Sequence, residues 1–587
     1  MQASHLTIDP VIPSEAEGPL LVGGTTEQVP PLRLPSTSLQ RGVTPRAAGV
    51  ALGSGRDDGS FRRGWPKAGW GRLLILLALL GMSVPASAET VLRVSMHSDL
   101  KIIDPIWTTA QISADHGYLV YDTLFSLDEK LTIKPQMVDR WEVSPDRLTW
   151  TFTLREGLAW HDGAPVTGAD CVASIKRWGA RDSMGQMLLA FTRELSAPDD
   201  RTIRLELKEP YGLVLAALGK TGANVPFMMP RRVAETSPNS QLGDATGSGP
   251  FIFKKDEWKA GEKAVYLKNP KYKPRDEPPS GFAGGKIAKV DRIEWIWIAD
   301  SQTQVNALLK GEIDVIQITP YDLLPLIDKS KDVTTQVVDR PGRQFIMRFN
   351  TLAKPFDDAR IRQAVTYALT QKEFLEANVG DARYYRECRS LFPCGLPLES
   401  AVGWEDRWSG DLAKAKKLMA EAGYDGTPLV LLHQTDLVAH NNLATVARPQ
   451  LERAGFKVDV QAMDWQTLVA RRNKKDPPQA GGWHAFFTSS AALSIADPVT
   501  HFFLNASCEK AQYGWPCDAE LERLRDQYAR VGDLESQRPI ALAVQRRAAD
   551  YPTHLPLGQF TTPTALRRNI TGLLTAPAVV FWNVEKK

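Results

Sequence analysis

The stretch of residues 428–472 constrains the fold more than any other part of the chain. Its apolar residues switch back and forth between strand and helix periodicity. Residues 428–433 have the pattern of a strand, 441–454 that of a helix, 456–463 a second strand and 466–472 a second helix. A strand–helix–strand–helix order implies a parallel sheet with helices packed on it. The predicted fold class is therefore α/β.

Length and charge bound the class of protein. The chain has 587 residues and a formal net charge of +3. Residues 1–88 hold eight of the 71 Lys and Arg and six of the 68 Asp and Glu, so the other 499 residues carry 63 and 62, a net of +1. This length allows two or three domains at about 100–200 residues each. A near-neutral body lacks the clustered basic surface that nucleic acid requires, so we expect no nucleic-acid partner.

The apolar run at residues 73–82 indicates export. It is too short to span a bilayer, which needs roughly 20 apolar residues. The segment Ala86-Ser87-Ala88 follows it, and the basic residues before it are Arg62, Arg63, Lys67 and Arg72. This order is typical of a secretory signal peptide, here residues 61–88, cleaved after Ala88, and a buried helix is the alternative. The Arg62-Arg63 pair leaves twin-arginine export open as a second route.

The segments on either side of the signal peptide complete this prediction. Residues 1–60 are rich in Gly, Pro, Ser and Thr, so we interpret them as disordered or as translated from a start site placed too far upstream. No lipid-attachment cysteine follows the apolar run. We therefore expect a free periplasmic protein.

Five cysteines remain in the mature chain. Cys388 and Cys394 are close in sequence, as are Cys508 and Cys517, and an oxidising compartment favours a disulfide within each pair. Cys171 is then left as a buried thiol. A metal site is the alternative, but no C-x-x-C and no His at zinc-ligand spacing accompanies these cysteines.

Enzyme signatures are missing from the sequence. It has no G-x-S-x-G elbow, no P-loop, no G-x-G-x-x-G after a strand and no H-E-x-x-H. The nearest candidate is Gly247-Ser248-Gly249, where Pro250 cannot donate an oxyanion N–H. We therefore expect no catalysis, no cofactor and no metal. A large exported α/β chain with sixteen Trp suits a ligand cleft instead.

Five short motifs point to one family. The first is a β-hairpin over residues 141–157 followed by Trp160-His161-Asp162-Gly163. The other four are Gly247-Ser248-Gly249-Pro250-Phe251, Leu309-Lys310-Gly311-Glu312-Ile313-Asp314, Pro355-Phe356-Asp357-Asp358 with Arg360-Ile361-Arg362-Gln363-Ala364, and Ala420-Glu421-Ala422-Gly423-Tyr424. In this order, and over essentially all of residues 90–587, the chain resembles the family 5 extracellular solute-binding proteins, the peptide/nickel type that serves ABC importers.

The resemblance implies a two-lobed periplasmic-binding-protein fold with the ligand cleft between the lobes. The first lobe would be discontinuous and an inserted subdomain would follow its first segment. The expected ranges are 89–125, 244–338 and 549–587 for the first lobe, 126–243 for the inserted subdomain and 339–548 for the second lobe. Hinge closure would enclose the ligand.

The resemblance also bears on the ligand. In dipeptide-type members an Asp binds the ligand's amino group and an Arg binds its carboxylate. The corresponding stretches here are Phe487-Thr488-Ser489-Ser490, which lacks the Asp, and His433-Gln434-Thr435-Asp436, which lacks the Arg. Both anchors for a short free peptide are therefore missing.

We expect aromatic and hydroxyl side chains with one carboxylate to line the cleft, although several of them will only pack. The expected ligand-binding residues are Trp107, Thr108, Thr109, Asp436, Trp465, Phe487, Thr488, Ser489 and Ser490. Such a set favours a polar solute, sugar-like or cationic. Arg343 is an alternative cation of the cleft, with a surface position equally open. A nickel chelate held by His433 or His440 is a further alternative.

The predicted function is the substrate-binding component of an ABC importer. A monomer would capture a small peptide-like or other polar solute and deliver it to permease subunits in the inner membrane. The alternatives are a secreted hydrolase and an envelope chaperone or sensor that uses the same fold.

Overall fold

The computed structural model describes residues 89–435, 437 and 440–587. In chain order its strands are β1 Val91–Ser95, β2 Asp122–Thr123, β3 Phe125–Leu127, β4 Ile133–Pro135, β5 Val138–Val143, β6 Thr149–Leu154, β7 Thr192–Asp199, β8 Thr202–Leu207, β9 Phe227–Met228, β10 Phe251–Phe253, β11 Lys263–Lys268, β12 Arg292–Ile296, β13 Val315–Ile316, β14 Val333–Val337, β15 Arg343–Phe349, β16 Tyr385–Arg386, β17 Leu429–Gln434, β18 Val458–Met463, β19 Ala485–Ala491, β20 His554–Phe560, β21 Pro563–Arg567, β22 Ile570–Thr571 and β23 Glu585–Lys586.

The α-helices are α1 Gln111–Val120, α2 Gly168–Gly179, α3 Ser183–Phe191, α4 Val214–Leu218, α5 Arg231–Ala234, α6 Ser301–Lys310, α7 Leu324–Asp328, α8 Ala359–Ala368, α9 Gln371–Asn378, α10 Leu412–Ala422, α11 Leu443–Ala454, α12 Trp465–Arg471, α13 Ala519–Arg530 and α14 Leu534–Asp550. Among the described residues, no helix is both long and apolar enough to cross a membrane.

Two large sheets, one in each lobe, organise the molecule. The first has seven strands in the order β10-β11-β12-β1-β13-β21-β14, and the second has six in the order β16-β20-β15-β19-β17-β18. In the first sheet β1 runs parallel to β12 and β13. In the second, β17 runs parallel to β18 and β19. The fold is thus the predicted two-lobed α/β arrangement.

The strand–helix–strand–helix prediction for residues 428–472 is confirmed. Strands β17 and β18 are parallel in register, and α11 connects them. Helix α11 has buried apolar residues at helical spacing on one side, and Gly455 ends it in the left-handed conformation with φ of 100°. Strand β17 is buried except at His433, as a strand covered on both faces should be.

A smaller four-stranded sheet holds the predicted hairpin. Its order is β5-β6-β8-β7, and β5 and β6 pair antiparallel as the hairpin pattern predicts. The buried ion pair between Asp104 and Arg177 ties this region to the segment before α1, with 2.7 Å between Oδ2 and Nη2. Both side chains are fully buried, and Asp104 also accepts the backbone N–H groups of Trp107 and Leu242. The pair is therefore surrounded by the hydrogen bonds that a buried charge requires.

Two chain segments cross between the large sheets. Residues 338–342 run from β14 to β15, and residues 561–562 run from β20 to β21. Gly342 has a φ of +69°, and a Cβ there would lie 2.2 Å from the carbonyl oxygen of Phe560. Only glycine fits this close approach of the two crossings.

The boundaries predicted for the lobes and the inserted subdomain stay a prediction. One strand runs against them, because β20 pairs with β15 in the second sheet although its residues fall in the range 549–587 predicted for the first lobe. Disulfides join Cys388 to Cys394 and Cys508 to Cys517, the two pairs that the sequence favours. Cys171 is a buried free thiol.

Candidate functional site

The crossing segments lie at the carboxyl ends of the parallel strands of both sheets. In the first sheet β1, β13 and β14 end on the side where the chain crosses. In the second sheet β17, β18, β19 and β20 end on the side where β15 begins at Arg343. Ligands of open α/β sheets bind outside the carboxyl ends of the strands. The candidate site is therefore the space that these two edges share.

A chain of hydrogen bonds forms the wall contributed by the first lobe. The backbone N–H and Nδ1 of His97 lie 3.0 Å and 2.7 Å from Oε1 of Gln317. Because a backbone N–H can only donate, this contact orients the Gln317 amide, whose Nε2 donates to Oδ2 of Asp115 at 2.7 Å. Nε2 of Gln111 donates to the other oxygen of Asp115, also at 2.7 Å. Both carboxylate oxygens of Asp115 are thus held by protein amides.

Two carboxyl groups of this region are hard to ionise. Burial raises the pKa of Asp115, against the opposing effects of His97, Gln111, Gln317 and Arg343. Burial also raises the pKa of Asp339, in the crossing segment, to about 7, although the Gly342 N–H bonds its carboxylate at 3.2 Å. The site is therefore poor in fully ionised carboxylate.

The wall contributed by the second lobe is built around Arg343. Nε of Arg343 donates to Oγ of Ser489 at 3.1 Å, and Nε2 of His440 lies 2.8 Å from the same oxygen. Arg343 is the first residue of β15, and Ser489 lies in the neighbouring strand β19, opposite Phe345. Burial lowers the pKa of Arg343, while Asp339 and Asp115 favour its charged form. This guanidinium thus interacts with groups of both lobes.

Ser489 and His440 are in hydrogen-bond contact, as a nucleophile and its general base would be. The pKa of His440, however, does not suit a general base. Burial lowers the pKa of His440 to about 3, and the charge of Arg343 adds to the shift. Nδ1 of His440 is buried and has no hydrogen-bond partner among the described residues, so no third group orients the ring. A general base works best with a pKa near the operating pH. The pair is therefore suited to holding Arg343 in place.

A separate cavity of about 300 Å³ borders the same crossing segment. Val338, Arg340 and Pro341 line it, together with Asp128, Glu129, Leu131, residues 575–577, Arg386, Cys394, Gly395 and Leu396. The guanidinium of Arg386 already donates to the Cys394 carbonyl. The groups of this cavity are distinct from those around Arg343.

Two of the three predicted residues of the first lobe contact residues in the range predicted for the inserted subdomain. The indole Nε1 of Trp107 donates to the Asn239 carbonyl at 3.2 Å, and the Trp107 carbonyl accepts from Arg181. The Thr108 carbonyl accepts from Asn224, and Thr109 is exposed. None of their hydrogen bonds within the described chain reaches the second lobe.

The predicted residues of the second lobe separate along strand β19. Phe487 is fully buried in the main core, and Thr488 and Ser490 are 8% and 6% exposed. Ser489 alone of the four bonds to Arg343. Trp465 is half-buried, and the Arg472 guanidinium lies over its ring at 5.3 Å. Asp436 lies outside the described residues.

Four residues near the site, His97, Asp115, Gln317 and Asp339, were not among the residues predicted to bind the ligand. His97 and Gln317 are 220 positions apart and are brought together by the parallel pairing of β1 and β13. Their signal was positional, because Gln317 directly follows β13 and His97 follows β1 after one residue. Arg343 and His440 were considered only as alternatives.

The described residues contain no group of three or more His, Cys, Asp or Glu that could hold a metal ion. The nickel alternative therefore gains no support from a ligand cluster. Each histidine considered for it has a pKa lowered by burial, that of His440 to about 3.

Comparison with known proteins identifies the family. Residues 132–511 match the bacterial extracellular solute-binding proteins, family 5 Middle. A probable peptide ABC transporter periplasmic-binding protein of Sinorhizobium fredii is 39% identical over 531 residues, covering 89% of this chain and 99% of the relative.

Two solved structures share the fold. DppA of Helicobacter pylori, in complex with the peptide STSA, has a TM-score of 0.71 at 21% identity and covers 85% of this chain and 99% of its own. AgaA of A. tumefaciens R10, in complex with agropinic acid, has a TM-score of 0.69 at 20% identity, with 85% and 99% covered. The chain therefore belongs to the family 5 bacterial extracellular solute-binding proteins.

Proposed function

We propose that this protein is the periplasmic substrate-binding component of an ABC importer. It captures one small peptide-like or other polar solute between its two lobes and delivers it to the permease subunits in the inner membrane. The observation that carries the proposal is the polar cluster between the carboxyl edges of two sheets joined by two crossing segments. Such crossings are the hinges about which lobes close on a ligand.

Capture without chemistry fits the groups present. Ser489 accepts from Arg343, and His440 is a weak base at neutral pH because burial lowers its pKa to about 3. A hydrolase would need a base matched to the operating pH and an orienting partner for it. We therefore favour binding over the hydrolase alternative.

The solute class follows from the polar walls and from the relatives. The first wall presents His97 and amide groups, and the second presents a guanidinium and a hydroxyl. The relatives include a probable peptide transporter component and structures with a peptide and an opine bound. These polar groups and these relatives support the proposal that the cleft binds a polar solute and selects it by hydrogen bonds and charge.

Location and partners complete the proposal. The basic residues, apolar run and Ala86-Ser87-Ala88 would direct export and cleavage after Ala88, and these residues lie outside the described ones. We propose that the mature protein is a monomer in the periplasm and that its partners are the solute and the permease.

The test is a thermal-unfolding screen of the full chain, produced with its own N-terminal segment and purified from the periplasm. Peptides, opines, sugars, polyamines and nickel chelates form the panel. A true ligand raises the unfolding midpoint in proportion to the logarithm of its concentration above Kd. Mass spectrometry of the mixture should recover the compound unchanged, and recovery of cleaved compound would favour the hydrolase instead.

Two neighbouring serines provide a matched pair of variants. Ser489→Ala removes the hydroxyl that bonds Arg343 and should weaken binding about five- to tenfold. Ser490→Ala alters the next residue, whose side chain points to the opposite face of the strand and makes no hydrogen bond in the described chain. Equal effects of the two substitutions would contradict the assigned wall.

A further inference from the structure

Arg343 is half-buried and differs in its hydrogen bonds from two fully buried arginines of the protein. Arg348 donates to the carbonyl groups of Tyr513, Phe503 and Thr553. Arg177 is paired with Asp104. Arg343 has one hydrogen bond in the described chain, from Nε to the Ser489 hydroxyl. Its two terminal nitrogens, the ones that bind carboxylates in parallel, have no partner among these residues.

The carboxylates near Arg343 do not form an ion pair with it. Asp115 accepts from Gln111 and Gln317, and Asp339 accepts from the Gly342 N–H. No carboxylate oxygen of the described residues lies within 4.0 Å of the Arg343 guanidinium. A partly buried cation without an anion costs free energy that a correctly placed anion would recover.

The surroundings fix the direction of this guanidinium. Ser489 holds Nε, and His440 holds Ser489. A guanidinium held at Nε presents its Nη groups as a rigid fork, which matches the two oxygens of a carboxylate. Because Arg343 begins β15 directly after the crossing segment, that fork belongs to the part of the chain where the lobes meet.

Resting on the proposed function, we infer that the solute carries a carboxylate, or an anion of the same planar geometry, and that Arg343 binds it. Ser489 and His440 are positioning residues that keep the guanidinium oriented. The binding site for the anion thus lies at the start of strand β15, next to the crossing segment 338–342. From the sequence alone, a surface position for Arg343 was equally open.

The first test compares matched ligands. Isothermal titration measures Kd for compounds of the panel supplied as free acids and as the corresponding primary amides. The wild-type protein should bind an acid about 30-fold or more tightly than its amide, because the amide leaves the half-buried cation unpaired. Arg343→Gln should remove this preference, and Arg343→Lys should restore part of it, since it keeps the charge without the fork.

The control variant is Arg340→Gln. It removes the same charge three residues earlier, within the crossing segment, but Arg340 is exposed and lines the separate cavity. Arg340→Gln should keep the preference for the acid. An Arg343→Gln protein that binds the acid within about threefold of wild type would overturn the inference, as would equal binding of acid and amide by the wild type.

The second test needs no ligand. In the absence of added compounds, Arg343→Gln should leave the thermal midpoint unchanged or raise it, because among the described residues the guanidinium hydrogen-bonds to the Ser489 hydroxyl alone. Arg177→Gln should lower the midpoint, since it leaves buried Asp104 unpaired. If Arg343→Gln lowers the midpoint as much as Arg177→Gln, Arg343 is a structural residue and the inference is wrong.

The two tests separate the possible failures. If no compound of the panel raises the wild-type midpoint, the proposed capture of such solutes fails, and the ligand-free comparison of Arg343→Gln with Arg177→Gln still decides the inference. If compounds bind with no preference for acids, the inference fails while the proposed function stands.

Discussion

Buried neutral histidines should make this protein sensitive to mild acid, and His501 provides the test. Its side chain is fully buried, between the rings of Phe392 and Phe503 and beside His554. Burial, together with the charges of Arg348 and Arg525, lowers the pKa of His501 to about 3. A proton on this ring would have to enter an apolar site next to two cations.

The sign of the effect follows from which state binds the proton. The unfolded chain takes up a proton near the ordinary His pKa of 6.5, whereas the folded protein does so only near 3. The stability that His501 contributes is therefore complete above pH 6.5 and is lost as the pH falls from 6.5 towards 3. At about pH 5 the loss is about 2 kcal/mol, because each pKa unit corresponds to about 1.36 kcal/mol.

Other groups of the molecule titrate in the same range. His116 and His440 also have pKa values lowered by burial to about 3, so their contributions have the same sign. Asp339 has the opposite sign, because burial raises its pKa to about 7 and the folded state then binds the proton first. The wild-type curve is the net of these effects, and a difference between variants is needed to isolate His501.

The assay is urea unfolding of wild type and of His501→Gln at pH 7.5 and pH 5. The glutamine side chain does not titrate. The free energy of unfolding of the variant should therefore fall by about 2 kcal/mol less than that of wild type between pH 7.5 and pH 5. His433→Gln is the control, because this ring is half-buried and lies in β17, away from His501. Parallel pH dependences for wild type and His501→Gln would refute the argument.

Three further predictions concern single contacts. Asp104→Ala should destabilise the protein by about 3–5 kcal/mol in chemical unfolding because it strands buried Arg177, and a loss below 1 kcal/mol would contradict the buried pair. Gly342→Ala should lower the thermal midpoint, because a Cβ at φ +69° meets the opposite crossing segment, and an unchanged midpoint would show that the hinge tolerates a side chain. Replacing Cys388 and Cys394 with serine should lower the free energy of unfolding by about 2 kcal/mol relative to the oxidised wild type, because the disulfide closes a short loop in the unfolded chain, and an unchanged free energy of unfolding would contradict this.

The elements that could be predicted from sequence are those with local periodicity. The pattern at residues 428–472 gave the parallel strands β17 and β18 because each element carries its own alternation of apolar residues. The hairpin of β5 and β6 is likewise a local pattern with its turn inside the segment. The placement of β20 in the second sheet depends instead on a distant partner, β15, and no local signal reveals it.

The site was harder to predict because its walls are assembled from distant segments. Phe487 and Ser489 share one face of β19, but Phe487 lies deeper in the sheet opposite Met347 and packs in the core, while Ser489 lies near the strand end and meets Arg343. Both residue types suit a ligand site. Only the position along the strand distinguishes the residue that packs in the core from the one that meets Arg343. Trp107 suggested an aromatic wall, yet its indole bonds to Asn239.

Closure of two lobes on a solute is the central claim, and small-angle X-ray scattering tests it most directly. The full chain is measured alone and with a saturating concentration of a compound that raised its unfolding midpoint. We predict a smaller radius of gyration for the complex, and no change for Arg343→Gln at the same concentration of compound. A wild-type protein that is saturated with the compound at an unchanged radius of gyration would contradict the claim.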